Sequence, residues 1–257
     1  MTPLQSIILG IIQGITEILP VSSSAHLMFA SKLMGLPFQR YAFDVCLNLG
    51  SLLAMLIFFH KDVKRLLRGF FNCSADDRRF FFLWLVSSLP VIGIFFIADL
   101  CFDLDFRSPL LLASALLLFG GVLWGCDLCS TEKKSLSLKD GLCAGFAQCL
   151  ALIPGVSRLG ASMSMMRYLR YSRTESFRFS LLLSLAPISG ALFLTSLKIM
   201  TGKVVIENWN LLFLGCLFSF SFGLLTLHLV TKFLQKHTLL AMVIYRIIFG
   251  IGVMLYF

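Results

Sequence analysis

Residues 15–27, ITEILPVSSSAHL, put a carboxylate (Glu17), three consecutive hydroxyls (Ser22, Ser23, Ser24) and an imidazole (His26) into an otherwise lipid-soluble chain. Polar and ionisable groups at membrane depth are costly, at least ~2.5 kcal/mol for a central charge, and mark a functional site by default. Pro20 breaks the helix that carries Gln13 and Glu17, and the serine run after it suits the cap of a new one. The stretch reads as a broken helix. A second, IPGVSRLGASM at 153–163, lies more than a hundred residues further on.

Across the chain, 58% of the 257 residues are apolar and 14% are charged, and the mean hydropathy is +0.90. A soluble domain carries about a quarter charged residues, so the chain reads as an all-α integral membrane protein. The N-terminus has no basic region before its apolar run, so no cleavable signal peptide is expected. The net charge of +9 sits in short loops between spans, which favours positive-inside orientation over a nucleic-acid partner. Eight cysteines lie mostly in apolar windows. The lone CxxC, Cys126 to Cys129, lacks the second pair or histidines of a metal site and reads as structural.

Spans are expected at 43–59, 81–98, 110–126, 177–198, 211–231 and 239–257. The intervening loops alternate: HKDVKRLLRG basic, DLCFDLDFR acidic, STEKKSLSLKD basic, TGKVVIENWN nearly neutral, TKFLQKH basic. Basic loops are assigned to the cytoplasm. Arg167, Arg170, Arg173 and Arg178 are read as a cytoplasmic interface, and Asp99, Asp103 and Asp105 as a solvated loop. Residues 1–42 and 139–170, interrupted by Gly, Pro and Ser, read as re-entrant hairpins that need protein or water around their freed backbone groups.

The two halves, about 1–130 and 131–257 of one transmembrane domain, resemble each other. Gly10, Gln13 and Pro20 recur as Gly145, Gln148 and Pro154, shifted by 134 or 135 positions. One hairpin plus three spans per half makes the halves an inverted-topology repeat, in which sites form where broken helices meet near the midplane. The two polar tips are then expected to face each other.

Gln13 and Glu17, four apart, share a helix face and offer oxygen ligands to Mg²⁺ or Ca²⁺. On a helix from residue 22, either Ser22 or Ser23 approaches His26, a nucleophile-and-base arrangement. At the second tip Pro154-Gly155 ends one segment, and Arg158 stands beside the hydroxyls of Ser157 and Ser162 at the next helix start, an anion site suited to phosphate. Together these parts suggest hydrolysis of a phosphate ester or anhydride whose carrier lies in the bilayer. The competing reading is a transporter or flippase of the lipid phosphate, because inverted repeats with broken helices are typical of secondary transporters.

At QGITE, PVSSSAH and PGVSRLGAS the sequence resembles the undecaprenyl-pyrophosphate phosphatases, the bacitracin-resistance family of bacterial inner membranes, whose motifs are (E/Q)xxxE, PVSS with a following histidine, and PGxSRSxxT. The resemblance continues through FDVCLNLGSLLA, FSLLLSLAPISGA and IYRIIFGIG. It implies dephosphorylation of undecaprenyl pyrophosphate, recycling the lipid carrier for peptidoglycan synthesis, at a site open to the periplasm. By position it implies Glu17 and Gln13 as the metal-binding pair, Ser23 as nucleophile, His26 as the essential histidine, Arg158 as phosphate binder and Arg246 as a further arginine. Ser22, Ser24, Gly155, Ser157 and Ser162 complete the expected substrate contacts. Leu159 and Ser162 stand where the motif has Ser and Thr, and only the second keeps a hydroxyl. The oligomeric state, a homodimer included, is left open.

Overall fold

The computed structural model describes residues 1–36, 41–101, 108–132, 135–206 and 208–257. Among these, all regular structure is helical. In chain order the helices are α1 (Pro3–Ile18), α2 (Ser23–Leu33), α3 (Tyr41–Phe58), α4 (His60–Phe70), α5 (Ala75–Cys101), α6 (Pro109–Asp127), α7 (Leu138–Cys149), α8 (Arg158–Tyr168), α9 (Arg173–Met200), α10 (Trp209–Leu234) and α11 (Leu240–Tyr256). The expected acidic loop with Asp103 and Asp105, and the side chain of Asp99, lie outside the described residues, as do Lys133, Lys134 and Glu207.

Four helices, α5, α6, α9 and α10, are long and apolar enough to cross a membrane. The segment 43–58 passes the same test only together with α4, from which it is bent by 85°, and α11 is a shorter apolar helix. The chain is a multi-pass membrane protein. One expected loop is corrected: HKDVKRLLRG is helical, forming α4. Its Asp62, Leu66 and Gly69 turn inward while Lys61, Lys64 and Arg68 stay exposed, so the basic sequence forms one face of an amphipathic helix.

Both interrupted regions are helix–break–helix. Helix α1 starts on a capping box, in which the Gln5 N–H donates to Thr2 Oγ1 and the Thr2 N–H to Gln5 Oε1. It stops at Leu19, extended (φ −95°, ψ 147°) because it precedes Pro20. Ser22 then takes φ 72° before α2. In the second region α7 runs into a 3₁₀ turn, Leu150–Leu152. Ser157 caps α8 by accepting from the Gly160 N–H at 3.1 Å. Gly155 has φ 96°, and a Cβ there would sit 2.9 Å from that of Ala115, so this tip needs glycine for conformation and for space.

The helices pair reciprocally. Helix α1 lies along α10 and α7 along α5; α3 packs on α10 and α9 on α5; α6 packs on α11. Gly10 and Gly14 let α1 approach the backbone of α10 at Gly215 and Ser219, the small-residue packing that lipid-embedded helices rely on. The main apolar core joins Leu52 and Met55 of α3, Phe177 and Leu181 of α9, and Leu227 of α10 to Ile18 of α1 and to Leu159 and Met163 of α8. It thereby fixes the last turn of α1 against the first turns of α8.

The arginines read as an interface divide in the structure. Arg170 is exposed and pairs with Glu132, and Arg178 pairs with Asp62 of α4. Arg167 is buried and corrects the expectation. Its Nε donates to Asp127 Oδ1 at 3.0 Å, its Nη2 to the Asp127 and Cys129 carbonyls at 3.1 and 2.7 Å, and its Nη1 to Thr131 and the Tyr171 carbonyl. Asp127 also accepts from Arg173 Nε at 2.8 Å and from the Leu239 N–H at 3.0 Å. The ends of α6 and α8 and the starts of α9 and α11 are thus tied at one carboxylate.

Candidate active site

Both breaks open onto one cavity of about 320 Å³. Gln13, Glu17 and Ser22 to Ser24 enter it from the first tip, Pro154 and Val156 to Arg158 from the second, and Asp44 and Asn48 from α3. Glu17 is the hub. Its Oε1 accepts from Arg158 Nη2 at 2.9 Å. Its Oε2 accepts from Ser23 Oγ at 2.6 Å and Gln13 Nε2 at 3.2 Å. The Glu17 side chain is 6% exposed and that of Arg158 20%, so the pair is shielded from bulk water but open on the arginine side. Ser157 caps α8, leaving other first-turn N–H groups and the positive end of the helix dipole beside Arg158. Ser22 and Ser24 approach each other at 3.2 Å, Oγ to Oγ.

Several expected contacts fall elsewhere. His26 does not touch Ser23. Its Nδ1 lies 2.7 Å from the Ser22 carbonyl and its Nε2 2.7 Å from the Tyr245 hydroxyl, and the ring stacks on Phe249 at 3.9 Å between centroids. A carbonyl only accepts, so Nδ1 donates to Ser22, while Nε2 and the Tyr245 hydroxyl share the second bond. Both ring nitrogens are occupied, and the partner of Ser23 here is Glu17. The physical reason is local: Ser22 is not helical, so its carbonyl rather than its hydroxyl reaches position 26.

Arg246 is 1% exposed and does not line the cavity. It sits behind both tips, donating to the carbonyls of Pro20 (2.8 Å), Gly155 (3.2 Å) and Leu116 (3.3 Å). It binds the two breaks together. Gly155 packs against α6 with its carbonyl on Arg246, and Ser162 returns its hydroxyl to the Arg158 carbonyl at 3.0 Å. Neither lines the cavity. Replacing Arg246 by Met is expected to strand buried carbonyls, about 1–3 kcal/mol each when left unpaired. Thermal unfolding in detergent checks this: an unchanged midpoint would show that the carbonyls find other donors.

Sequence reading passed over Asn48, Asp44 and Tyr245. Asn48 Oδ1 accepts from Gln13 Nε2 at 2.8 Å. Asp44 and Asn48, four apart in an apolar helix, carried a signal of the same kind as Gln13 and Glu17. Tyr245 carried none, because its role depends on a histidine 219 positions away.

The Bacitracin resistance protein BacA family model matches residues 6–252. Proteins named undecaprenyl-diphosphatase are similar over nearly the whole chain. That of Alcanivorax borkumensis is 34% identical over 97% of this chain and 97% of its own. That of Alteromonas mediterranea is 36% identical over 100% and 99%, and that of Chromohalobacter salexigens 38% over 96% of each. With a match from residue 6 to residue 252 and three such relatives, the chain belongs to the BacA family.

Proposed function

We propose that this protein hydrolyses undecaprenyl pyrophosphate to undecaprenyl phosphate and inorganic phosphate, recycling the lipid carrier for cell-wall synthesis. The single observation that carries the reading is the Ser23–Glu17–Arg158 arrangement, a hydroxyl, a carboxylate and a guanidinium contributed by two breaks more than a hundred residues apart. Arg158 and the first-turn N–H groups of α8 hold the terminal phosphate. Ser23 Oγ attacks its phosphorus as Glu17 Oε2 takes the hydroxyl proton, and the bond to the bridging oxygen breaks, releasing undecaprenyl phosphate. Water then cleaves the phosphoserine. Alignment and charge neutralisation carry most of the catalysis in phosphoryl transfer, and a buried, paired carboxylate is sufficient to orient the serine. His26 is a positioning residue that fixes the first turn of α2 to α11.

The donor set fits a divalent ion shared with substrate. Three of the roughly four lone-pair sites of Glu17 are used, and Gln13 Oε1 has no hydrogen bond among the described residues. Among those residues no group of three or more His, Cys, Asp or Glu side chains forms a metal cage. Mg²⁺ is commonly held by one or two carboxylates plus substrate phosphate oxygens. Glu17 and Gln13 would hold it, and its contribution is neutralisation of diphosphate charge. Chelation is expected to suppress phosphate release, and added Mg²⁺ or Ca²⁺ to restore it; full activity after chelation would exclude the ion.

The reciprocal packing of α1 on α10 and α7 on α5 supports the inverted repeat. The basic loops support an inner-membrane orientation with the cavity open to the periplasm. The function is tested by phosphate release from purified protein in detergent, where hydrolysis proceeds and transport has no sealed bilayer. Absence of release would sink the reading. The role of His26 is tested by the pH–rate profile of His26→Asn. A positioning histidine leaves the acidic limb where it is, whereas a general base takes that limb with it. Tyr245→Phe, which removes one part-buried hydrogen bond, is expected to lower turnover by at most about tenfold.

A further inference from the structure

A second cavity, of about 360 Å³, lies away from both tips, where α4 and the first turns of α5 and α9 meet the C-terminal half of α8. Helix α5 contributes Phe80 and Leu83 to it and Phe95 to the active cavity, so about 18 Å of helix separates the two levels. The proposed reaction uses none of its residues. Its floor is apolar, with Leu83, Phe179 and Leu182 buried. Its rim carries both signs of charge: Arg65, Arg79 and Arg178 beside Asp76 and Glu175.

The rim charges differ in how far they are engaged. Arg178 is taken by Asp62. Arg65 reaches Asp77 at 3.4 Å and lies over the Phe80 ring at 4.4 Å, which holds its guanidinium at the mouth. Arg79 and Asp76, both exposed, have no ion-pair partner among the described residues. Among the described residues the Glu175 carboxylate accepts only from its own cap, Ser172. An inorganic phosphate would answer the guanidiniums and face two carboxylates. A zwitterion answers both. The mouth also lies beside α4, whose cationic side chains share a helix with exposed Leu67 and Phe70, with Phe71 next. An amphipathic helix at 85° to the segment before it suits a position in the head-group layer.

We propose that this cavity binds the head group of a phospholipid bearing a primary ammonium. The phosphodiester oxygens accept from Arg79 and Arg65, the ammonium donates to Asp76 and Glu175, and the first acyl carbons cover Phe80 and Leu182. A quaternary ammonium has no N–H to donate, and a glycerol head group has no cation, so the chemistry separates three common lipid classes.

The test is a binding titration of the full chain in detergent, read by native mass spectrometry. The ligands are phosphatidylethanolamine, phosphatidylcholine and phosphatidylglycerol with matched chains, with inorganic phosphate as competitor. Phosphatidylethanolamine is expected to bind at least about fivefold tighter than the other two, and Arg79→Gln to weaken it about tenfold, as loss of a charge-assisted hydrogen bond implies. Asp76→Asn combined with Glu175→Gln is expected to abolish the preference over phosphatidylglycerol. Arg79 is remote from the active cavity, so normal phosphate release by Arg79→Gln reports an intact fold. Equal affinity for the ethanolamine and choline lipids, an affinity unmoved by Arg79→Gln, or displacement of the lipid by inorganic phosphate would each overturn the proposal.

Discussion

Replacing Arg158 by Ala is expected to lower the rate of phosphate release by about 10³-fold or more, in the range found when an arginine is removed from a phosphoryl-transfer site. Two losses combine. The terminal phosphate loses its forked donor, and Glu17, 6% exposed, loses the partner at 2.9 Å that balances its charge. Arg158→Lys should recover only part of the rate, since an ammonium is a point charge that cannot serve carboxylate and phosphate in the same fork geometry. Ser23→Ala should be at least as severe for the chemical step while sparing lipid binding, because its hydroxyl is bound to Glu17 and not to the groups assigned to phosphate. The three residues act as one unit, so the Ser23→Ala, Arg158→Ala double variant is expected to be little worse than the poorer single one. Single-turnover assays with substrate binding measured separately check all of this. If the two losses multiply, or if Ser23→Ala keeps a rate within about tenfold of the parent, the shared hub at Glu17 is wrong.

The second large effect concerns stability. Asp127→Ala is expected to destabilise the fold by about 3–5 kcal/mol, the cost of removing one partner from a buried ion pair and leaving the other charge uncompensated. The side chains of Arg167 and Asp127 are 2% and 1% exposed, so water cannot replace the carboxylate. Arg173 loses its acceptor as well, and the N–H of Leu239 is left bare. Asp127→Asn keeps an oxygen for Arg167 and is expected to cost clearly less. Arg167→Met, which removes the cation and fills the space with an apolar chain, should cost less than Asp127→Ala because Asp127 keeps Arg173 as its ion-pair partner. Thermal unfolding in one detergent, with the monodisperse fraction as a second readout, ranks the three. A midpoint for Asp127→Ala equal to the parent's would show that the cluster stores no stability.

How much of this was written along the chain can be judged residue by residue. The hydropathy of α5, α6, α9 and α10 declares them spans because hydrocarbon tolerates little else at that length. Pro20 declares the first break, since it bars Leu19 from helical geometry. The chemistry of the tips was legible for the same reason: Glu17, Ser23 and Arg158 are expensive in lipid and have no topological excuse. Partnerships were less legible. Spacing paired serine with His26, yet one residue at φ 72° turned the carbonyl of Ser22 to the ring and left Ser23 for Glu17. A basic run read as a loop became α4, and Arg167, read as a surface charge, was buried by an aspartate forty positions earlier.

The order of residues alone makes this a helical membrane protein, marks where two of its helices break, and names the reactive groups at those breaks. Hydropathy and backbone sterics are local properties, complete within one or two turns of chain. Which group serves which depends on how the helices pack. Hydrogen bonds from Arg246 to Pro20 and Gly155, or between Tyr245 and His26, join atoms 91 to 226 residues apart. Such bonds exist only after the helices have packed, at distances that no periodicity along the chain encodes.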